Sequence, residues 1–481
     1  MQLLLPPLLL LACAASASSL PEQFHIALAG DGEMRISFKL NSSAPQTCTY
    51  SWAGRANTTS APSTVRGYFP GRGFYHHVLL SSLPYSTRVA YACAGGPLFT
   101  FLSPPPTATF SPFSMAVFGD WGYLGSKERG PSLPVGGLST NWSAVPVREL
   151  MEGLAVNGSV QMVLHAGDIG YYDDCFGEDL LKFCYESVTD EWFDWIQNVS
   201  SALPYHVAVG NHESECHSPV CVLDLEGLGL HLNNFSAYKS RWEMNNAGSG
   251  GVQNMWYSVR RGGVHFVSIN TETDWHGAGE ATMGDGHFPF LPAGGFGAPG
   301  QYLSWLAADL ETAAADPTVR WIIASGHRPF EDLPTEHMET LAALFQKAGV
   351  AFYFCGHGHT YIRYNASAFG AGAVQVMAGA AGSDETPYPP DQLSRAVDAG
   401  SAARGAPARC REWCADFDAR FGVKERSACH FCEGGPLGAT PAAQTDLLSL
   451  GVLDVAYDKL SFRLLRAPDG AVLDTVEVVH A

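Results

Sequence analysis

Side chains that bind metal ions recur in this chain directly behind glycines, each time at the end of a short apolar run. Phe118 leads into Gly119-Asp120, Ala166 into Gly167-Asp168 with Tyr171 three residues on, and Val209 into Gly210-Asn211-His212. Ser325 runs into Gly326-His327, and Cys355 into Gly356-His357-Gly358-His359. One Gly-Asp after a strand is often only a turn closed by an Asx hydrogen bond. A turn has no need of Asp, Asn and His at five successive run ends, so the repetition points to a metal-centred active site.

The elements that must position these donors follow from the runs themselves. Residues 114–118, 162–166, 205–209, 321–325 and 351–355 read as strands buried on both faces, and the glycines let the chain turn sharply at their ends. The expectation is that the donors gather along one edge of a sheet, where open α/β sheets bind ligands. Between the runs, Val147, Leu150, Met151 and Leu154 recur at helical spacing, as do Leu303, Leu306 and Leu310, then Met338, Leu341 and Phe345. Strand, helix, strand in this order implies an α/β class with a sheet sandwich and flanking helices. Residues 24–101 alternate instead, with Met34, Ile36, Phe38 and Leu40 separated by Arg35, Ser37 and Lys39, and predict an amino-terminal β-sandwich ending at Pro104-Pro105-Pro106. Residues 276–300 and 383–444 read as irregular surface loops, and residues 450–479 as closing strands.

At 481 residues the chain exceeds one ordinary core. With 46% hydrophobic and 16% charged residues it is a packed globular protein. Its formal charge of −19 and lack of a basic cluster argue against a nucleic-acid partner. Residues 1–17 resemble a secretory signal peptide cleaved after Ala17, and no later segment is apolar enough to span a bilayer. Of twelve cysteines, Cys13 would leave with the signal. The pairs expected are Cys48 with Cys93, Cys175 with Cys184 and Cys216 with Cys221, with two more bridges among Cys410, Cys414, Cys429 and Cys432. That leaves Cys355 as a free core thiol. Asn41, Asn57, Asn141, Asn157, Asn198, Asn234 and Asn365 stand in Asn-x-Ser/Thr sequons, which in an exported chain imply glycosylation.

The blocks Gly119-Asp120-Trp121-Gly122, Gly167-Asp168-Ile169-Gly170-Tyr171, Gly210-Asn211-His212-Glu213, Gly326-His327 and Gly356-His357-Gly358-His359 resemble, in order, the five blocks of the purple acid phosphatases. These are calcineurin-like metallophosphoesterases, and the amino-terminal sandwich is similar to the fibronectin-III-like domain of larger plant-type members. The resemblance implies a sandwich over residues 20–106 and a binuclear metallophosphoesterase domain over 112–481. Most relatives in the wider superfamily open with Asp-x-His. Here Trp121 and Gly122 follow Asp120, and Tyr171 takes the missing donor's place. A phenolate favours a trivalent ion, which implies Fe(III) beside a divalent Zn, Mn or Fe(II). Carried over, Asp120, Tyr171 and His359 would bind Fe(III), Asn211, His327 and His357 the divalent ion, and Asp168 would bridge them.

The activity so implied is hydrolysis of phosphomonoesters by metal-bound hydroxide with an acid optimum, on small phosphorylated substrates outside the cell or in the vacuole. His212 is the expected proton donor, with His337, ten residues after His327, as a second site histidine. Arg328 would reach a phosphate oxygen or hold its loop, and Asp173-Asp174 read as a solvated acidic turn. The competing readings keep the metals but act on diesters, pyrophosphates or inositol phosphates, or make the chain an inactive glycosylated adhesion protein. Subunits pairing as a homodimer stays open.

Overall fold

Alternating sequence builds the amino-terminal layers. The computed structural model describes residues 20–125, 142–173, 183–214, 231–275, 278, 295–383, 439 and 441–480. The signal segment, Asp174, Cys175, Cys216, Cys221, the four cysteines of the 383–444 stretch and most of residues 276–300 lie outside them. One four-stranded sheet runs Glu22–Leu28, Met34–Leu40, Phe74–Leu80, Thr64–Arg66, and a second runs Thr58–Thr59, Cys48–Trp52, Arg88–Cys93, Phe99–Leu102. Met34, Ile36 and Phe38 are buried on one face as the alternation requires. Ser37 and Lys39 on the other face are buried too, because the remainder of the protein packs there. Cys48 and Cys93 stand directly opposite each other in antiparallel strands and form a disulfide, while Cys355 is free and buried. Cys184 is also disulfide-bonded, and its partner lies outside the described residues.

The five donor strands do not share one sheet. Phe113–Phe118, Val163–His165 and Tyr205–Val207 are parallel neighbours in a six-stranded sheet, completed by Ser449–Val455, Lys459–Arg466 and Val472–Val479. Trp321–Ser325 and Val350–Cys355 lie parallel in a separate seven-stranded sheet. The single-edge expectation is therefore corrected: apolar runs specify strands, but pairing partners depend on contacts remote in sequence. The carboxyl-terminal strand Ser449–Val455 fills the place beside Phe113–Phe118 that a donor strand would otherwise take. At the donor end the two sheets meet, where the Gly119 N–H donates to the Ala378 carbonyl at 2.9 Å.

Helices cover the sheets. Val145–Val156 buries Val147 and Met151, and Thr335–Ala348 buries Met338, Leu341 and Phe345 before Gly349 ends it in a left-handed conformation. The helix Tyr185–Ser200 lies against the sandwich strand Glu22–Leu28. There Phe24 N–H donates to Gln197 Oε1 at 2.8 Å, Leu28 N–H to His206 Nε2 at 3.1 Å, and Tyr91 O–H to the Ser201 carbonyl at 2.8 Å. Arg241 is buried in this seam against Glu186 at 3.0 Å and Asp190 at 2.9 Å. Among the described residues no helix is long and apolar enough to cross a membrane.

Candidate metal centre

The seven donors named from sequence converge into two groups that share one oxygen. In the first, Tyr171 Oη lies 2.7 Å from His359 Nε2, 3.2 Å from Asp120 Oδ1 and 3.3 Å from Asp168 Oδ2. In the second, His327 Nε2 lies 3.0 Å from both Asp168 Oδ2 and Asn211 Oδ1, and His357 Nδ1 lies 3.0 Å from the same amide oxygen. Metal–ligand bonds of about 2.0–2.2 Å place neighbouring ligands about 3 Å apart, so both groups have the spacing of a coordination shell. Oxygen and imidazole nitrogen in each group fit hard to borderline cations. Each group draws on both sheets.

Local backbone makes this approach feasible. Asp120, Asp168, Tyr171 and His357 hold φ of 56°, 53°, 47° and 71°, the left-handed region that non-glycine residues rarely adopt. Such strain persists only where surrounding structure over-determines it, and it clusters at functional sites. Two of the glycines give room rather than turns. A Cβ on Gly210 would stand 2.2 Å from Asp168 Oδ1, and one on Gly356 would stand 2.2 Å from Asp120 Oδ2. Each donor carboxylate nests against the glycine of another donor loop.

Electrostatics fit a cation-binding cluster. Burial disfavours charge on Asp168, yet His327 and His212 hold its carboxyl well below the usual range. Burial likewise opposes a charged His327, but Asp168, with Asp120 and Glu272, lifts it to about 10. Burial raises Asp120. The metal-free chain thus keeps a proton on an imidazole that faces two carboxylates, at a place where a cation supplies the same charge. The outer nitrogen of His327 is oriented as in metal-binding histidines, toward a carbonyl, whereas that of His357 faces a donor. His327 Nδ1 faces the Ala166 carbonyl at 2.9 Å, and His357 Nε2 accepts from Arg328 at 2.9 Å.

Other residues named from sequence are placed as follows. His212 packs its ring 4.4 Å from that of Tyr171, with Nε2 3.9 Å from Asp168 Oδ2. Its Nδ1 meets Asp173 Oδ2 at 2.7 Å, and Asp173 is fully buried. The reading of Asp173 as solvated is therefore corrected: the imidazole gives its carboxylate a partner inside the fold. Arg328 holds its loop, with Nε donating to Glu272 Oε2 at 2.9 Å. His337 is not brought into the donor groups by any hydrogen bond. It is buried and stacked on Trp275 at 4.1 Å, and its Nε2 has no hydrogen-bond partner among the described residues. Sequence reasoning missed Thr271 and Glu272, which follow the strand Val264–Ser268 without an intervening glycine. The Thr271 hydroxyl oxygen accepts the His327 and Arg328 N–H groups at 3.2 and 3.0 Å.

Residues 113–361 match the family described as calcineurin-like phosphoesterase, and residues 21–107 match the purple acid phosphatase N-terminal domain. The chain belongs to the purple acid phosphatases. Purple acid phosphatase 18 of Arabidopsis thaliana is 27% identical over 396 residues, covering 77% of this chain and 73% of that one. Acid phosphatase A of Cryphonectria parasitica is 26% identical over 411 residues, covering 74% and 79%. The solved purple acid phosphatase PPD1 from yellow lupin superposes with a TM-score of 0.62 at 15% identity, covering 96% of this chain and 75% of that one. The fold is that of this family, and the chain is an acid phosphatase, a metallophosphoesterase that hydrolyses phosphoesters.

Proposed function

We propose that this purple acid phosphatase hydrolyses phosphomonoesters at a binuclear centre in which Asp120, Tyr171 and His359 hold Fe(III), Asn211, His327 and His357 hold a divalent ion, and Asp168 serves both. The observation that carries the reading is the pair of four-donor groups meeting at Asp168 Oδ2, only one of which contains a phenol. When bound, the cation pair neutralises phosphate charge and makes water a competent nucleophile below neutral pH.

The chain's own groups supply the remainder. Asp173 fixes the His212 ring through Nδ1, which leaves Nε2 on the side of the shared carboxylate, placed to hand a proton to the departing alkoxide. Glu272 holds Arg328, so the loop that carries His327 is braced behind the divalent side. His337, stacked on Trp275, is a wall of the fold in this reading rather than a proton donor.

Passage through the secretory route fits the Cys48–Cys93 disulfide. Sequon residues Asn41, Asn57, Asn157, Asn198 and Asn365 are exposed and compatible with glycans. Asn234 is half-buried, with its Oδ1 enclosed.

The visible spectrum tests the proposal. Purified protein should contain two metals per chain, one of them iron, and absorb as a phenolate–Fe(III) pair. Tyr171→Phe should bleach the band while the fold is retained. A colourless, iron-free protein fully active with two divalent ions would overturn the Fe(III) assignment.

A further inference from the structure

Glu213 has no part in the chemistry above, yet its carboxylate is buried at the junction of two donor loops. Its Oε1 accepts the Ile169 N–H at 2.7 Å, and its Oε2 accepts the N–H groups of Asp168 at 3.0 Å and Gly210 at 2.7 Å. The bond to Gly210 is the local reach of a capping-box glutamate back to the start of its own turn, Asn211–Glu213. The other two leave that turn and close on a loop 44 and 45 residues away in sequence. The tie is reciprocal, since Asp168 Oδ1 accepts the His212 N–H at 3.0 Å. A buried carboxylate whose hydrogen bonds run to main-chain amides of two segments fixes those segments relative to each other.

We propose that Glu213 is the positioning residue that sets the spacing between the two candidate metal groups. One carboxylate ties the loop bearing Asp168 and Tyr171 to the loop bearing Asn211 and His212. The inference rests on the binuclear reading given above, but its test has an arm that does not.

The variants are Glu213→Gln and Glu213→Asp. The glutamine keeps one acceptor oxygen: in the Oε2 place it still serves Asp168 and Gly210 while its N–H₂ opposes the Ile169 N–H, and in the Oε1 place it serves Ile169 and opposes the other two. The aspartate keeps both carboxyl oxygens but is one methylene too short to serve both loops. Hydrogen exchange of the metal-free protein, read by mass spectrometry, should quicken about tenfold in peptides covering residues 166–171 and 208–213 together, with sandwich peptides unchanged. Titration with Zn²⁺ and Fe³⁺ should show affinity falling roughly 10–100-fold, as loss of an outer-shell partner does, with the phenolate band shifted. Faster exchange confined to 208–213, with metal affinity unchanged, would overturn the proposal. Where Glu213→Gln fails to fold, Glu213→Asp decides by the same two readings. Should the wild type bind no metal pair, the binuclear reading fails, and a Glu213 bond that joins no second peptide in exchange fails this inference separately.

Discussion

In the proposed mechanism Asp173 makes His212 an oriented acid rather than a free imidazole, because a carboxylate at 2.7 Å from Nδ1 fixes both the ring plane and the nitrogen that faces the centre. Asp173→Asn should therefore lower kcat about 10–100-fold with KM little changed, and should weaken the dependence of kcat on pH. Steady-state kinetics from pH 4 to 8 check this, and an unchanged kcat would remove Asp173 from the mechanism. Six of the seven donor positions were legible because they follow a glycine at or just beyond the end of an apolar run, whereas Tyr171 came from the family resemblance. Asp173 was not legible, because its partner lies 39 residues away and an Asp-Asp pair in sequence carries no mark of burial. Glu272 escaped for a related reason: the run before it ends in Asn270 rather than glycine, and only the folded position of Arg328 gives it meaning. The ten-residue interval from His327 suggested a site role for His337, but the first turn of Thr335–Ala348 turns the ring onto Trp275.

At the level of elements, the strand ends act through close contact between loops. Gly210 has an extended backbone that any residue could adopt, so the objection to a side chain there is purely one of space. Gly210→Ala should push Asp168 aside, cost about 1–3 kcal/mol in thermal unfolding and leave the protein deficient in both metals. Full metal content in this variant would show that the loops yield more easily than their packing implies. Strands and helices were readable from period and length, including the closing strands near the carboxyl terminus. Their assignment to two sheets was not, since a run buried on both faces pairs equally well with any similar neighbour. The extra antiparallel strand Ser449–Val455 decides the order, and it enters from more than 300 residues downstream, as its pairing with Phe113–Phe118 shows.

Across the whole molecule, one of the bonds that join the amino-terminal sandwich to the remainder needs a neutral histidine. His206 accepts the Leu28 N–H through Nε2, which it does only while that nitrogen keeps its lone pair. Burial and the Arg261 charge bring its pKa down to about 3, from an ordinary 6.5. Above 6.5 both folded and unfolded chains hold it neutral. As pH falls toward 3 the unfolded chain alone takes a proton, so this contact's stability is lost on acidification. His206→Gln keeps an acceptor without the titration. Its stability relative to wild type should improve by about 2 kcal/mol between pH 8 and pH 5 in urea unfolding, and a pH-independent difference would refute the linkage. Alternation in sequence foretold the sandwich, whereas the seam was invisible there, since Ser37 and Lys39 read as solvent-facing and are buried.

Because each donor group takes side chains from both sheets, a cation seated in either one works as a rivet as well as a reagent. Binding that favours only the closed arrangement adds its free energy to the cohesion of the two layers. A hydrolase built this way cannot loosen its grip on metal without also loosening its own seams, and stripping the ions exposes the framework to heat as surely as it ends turnover.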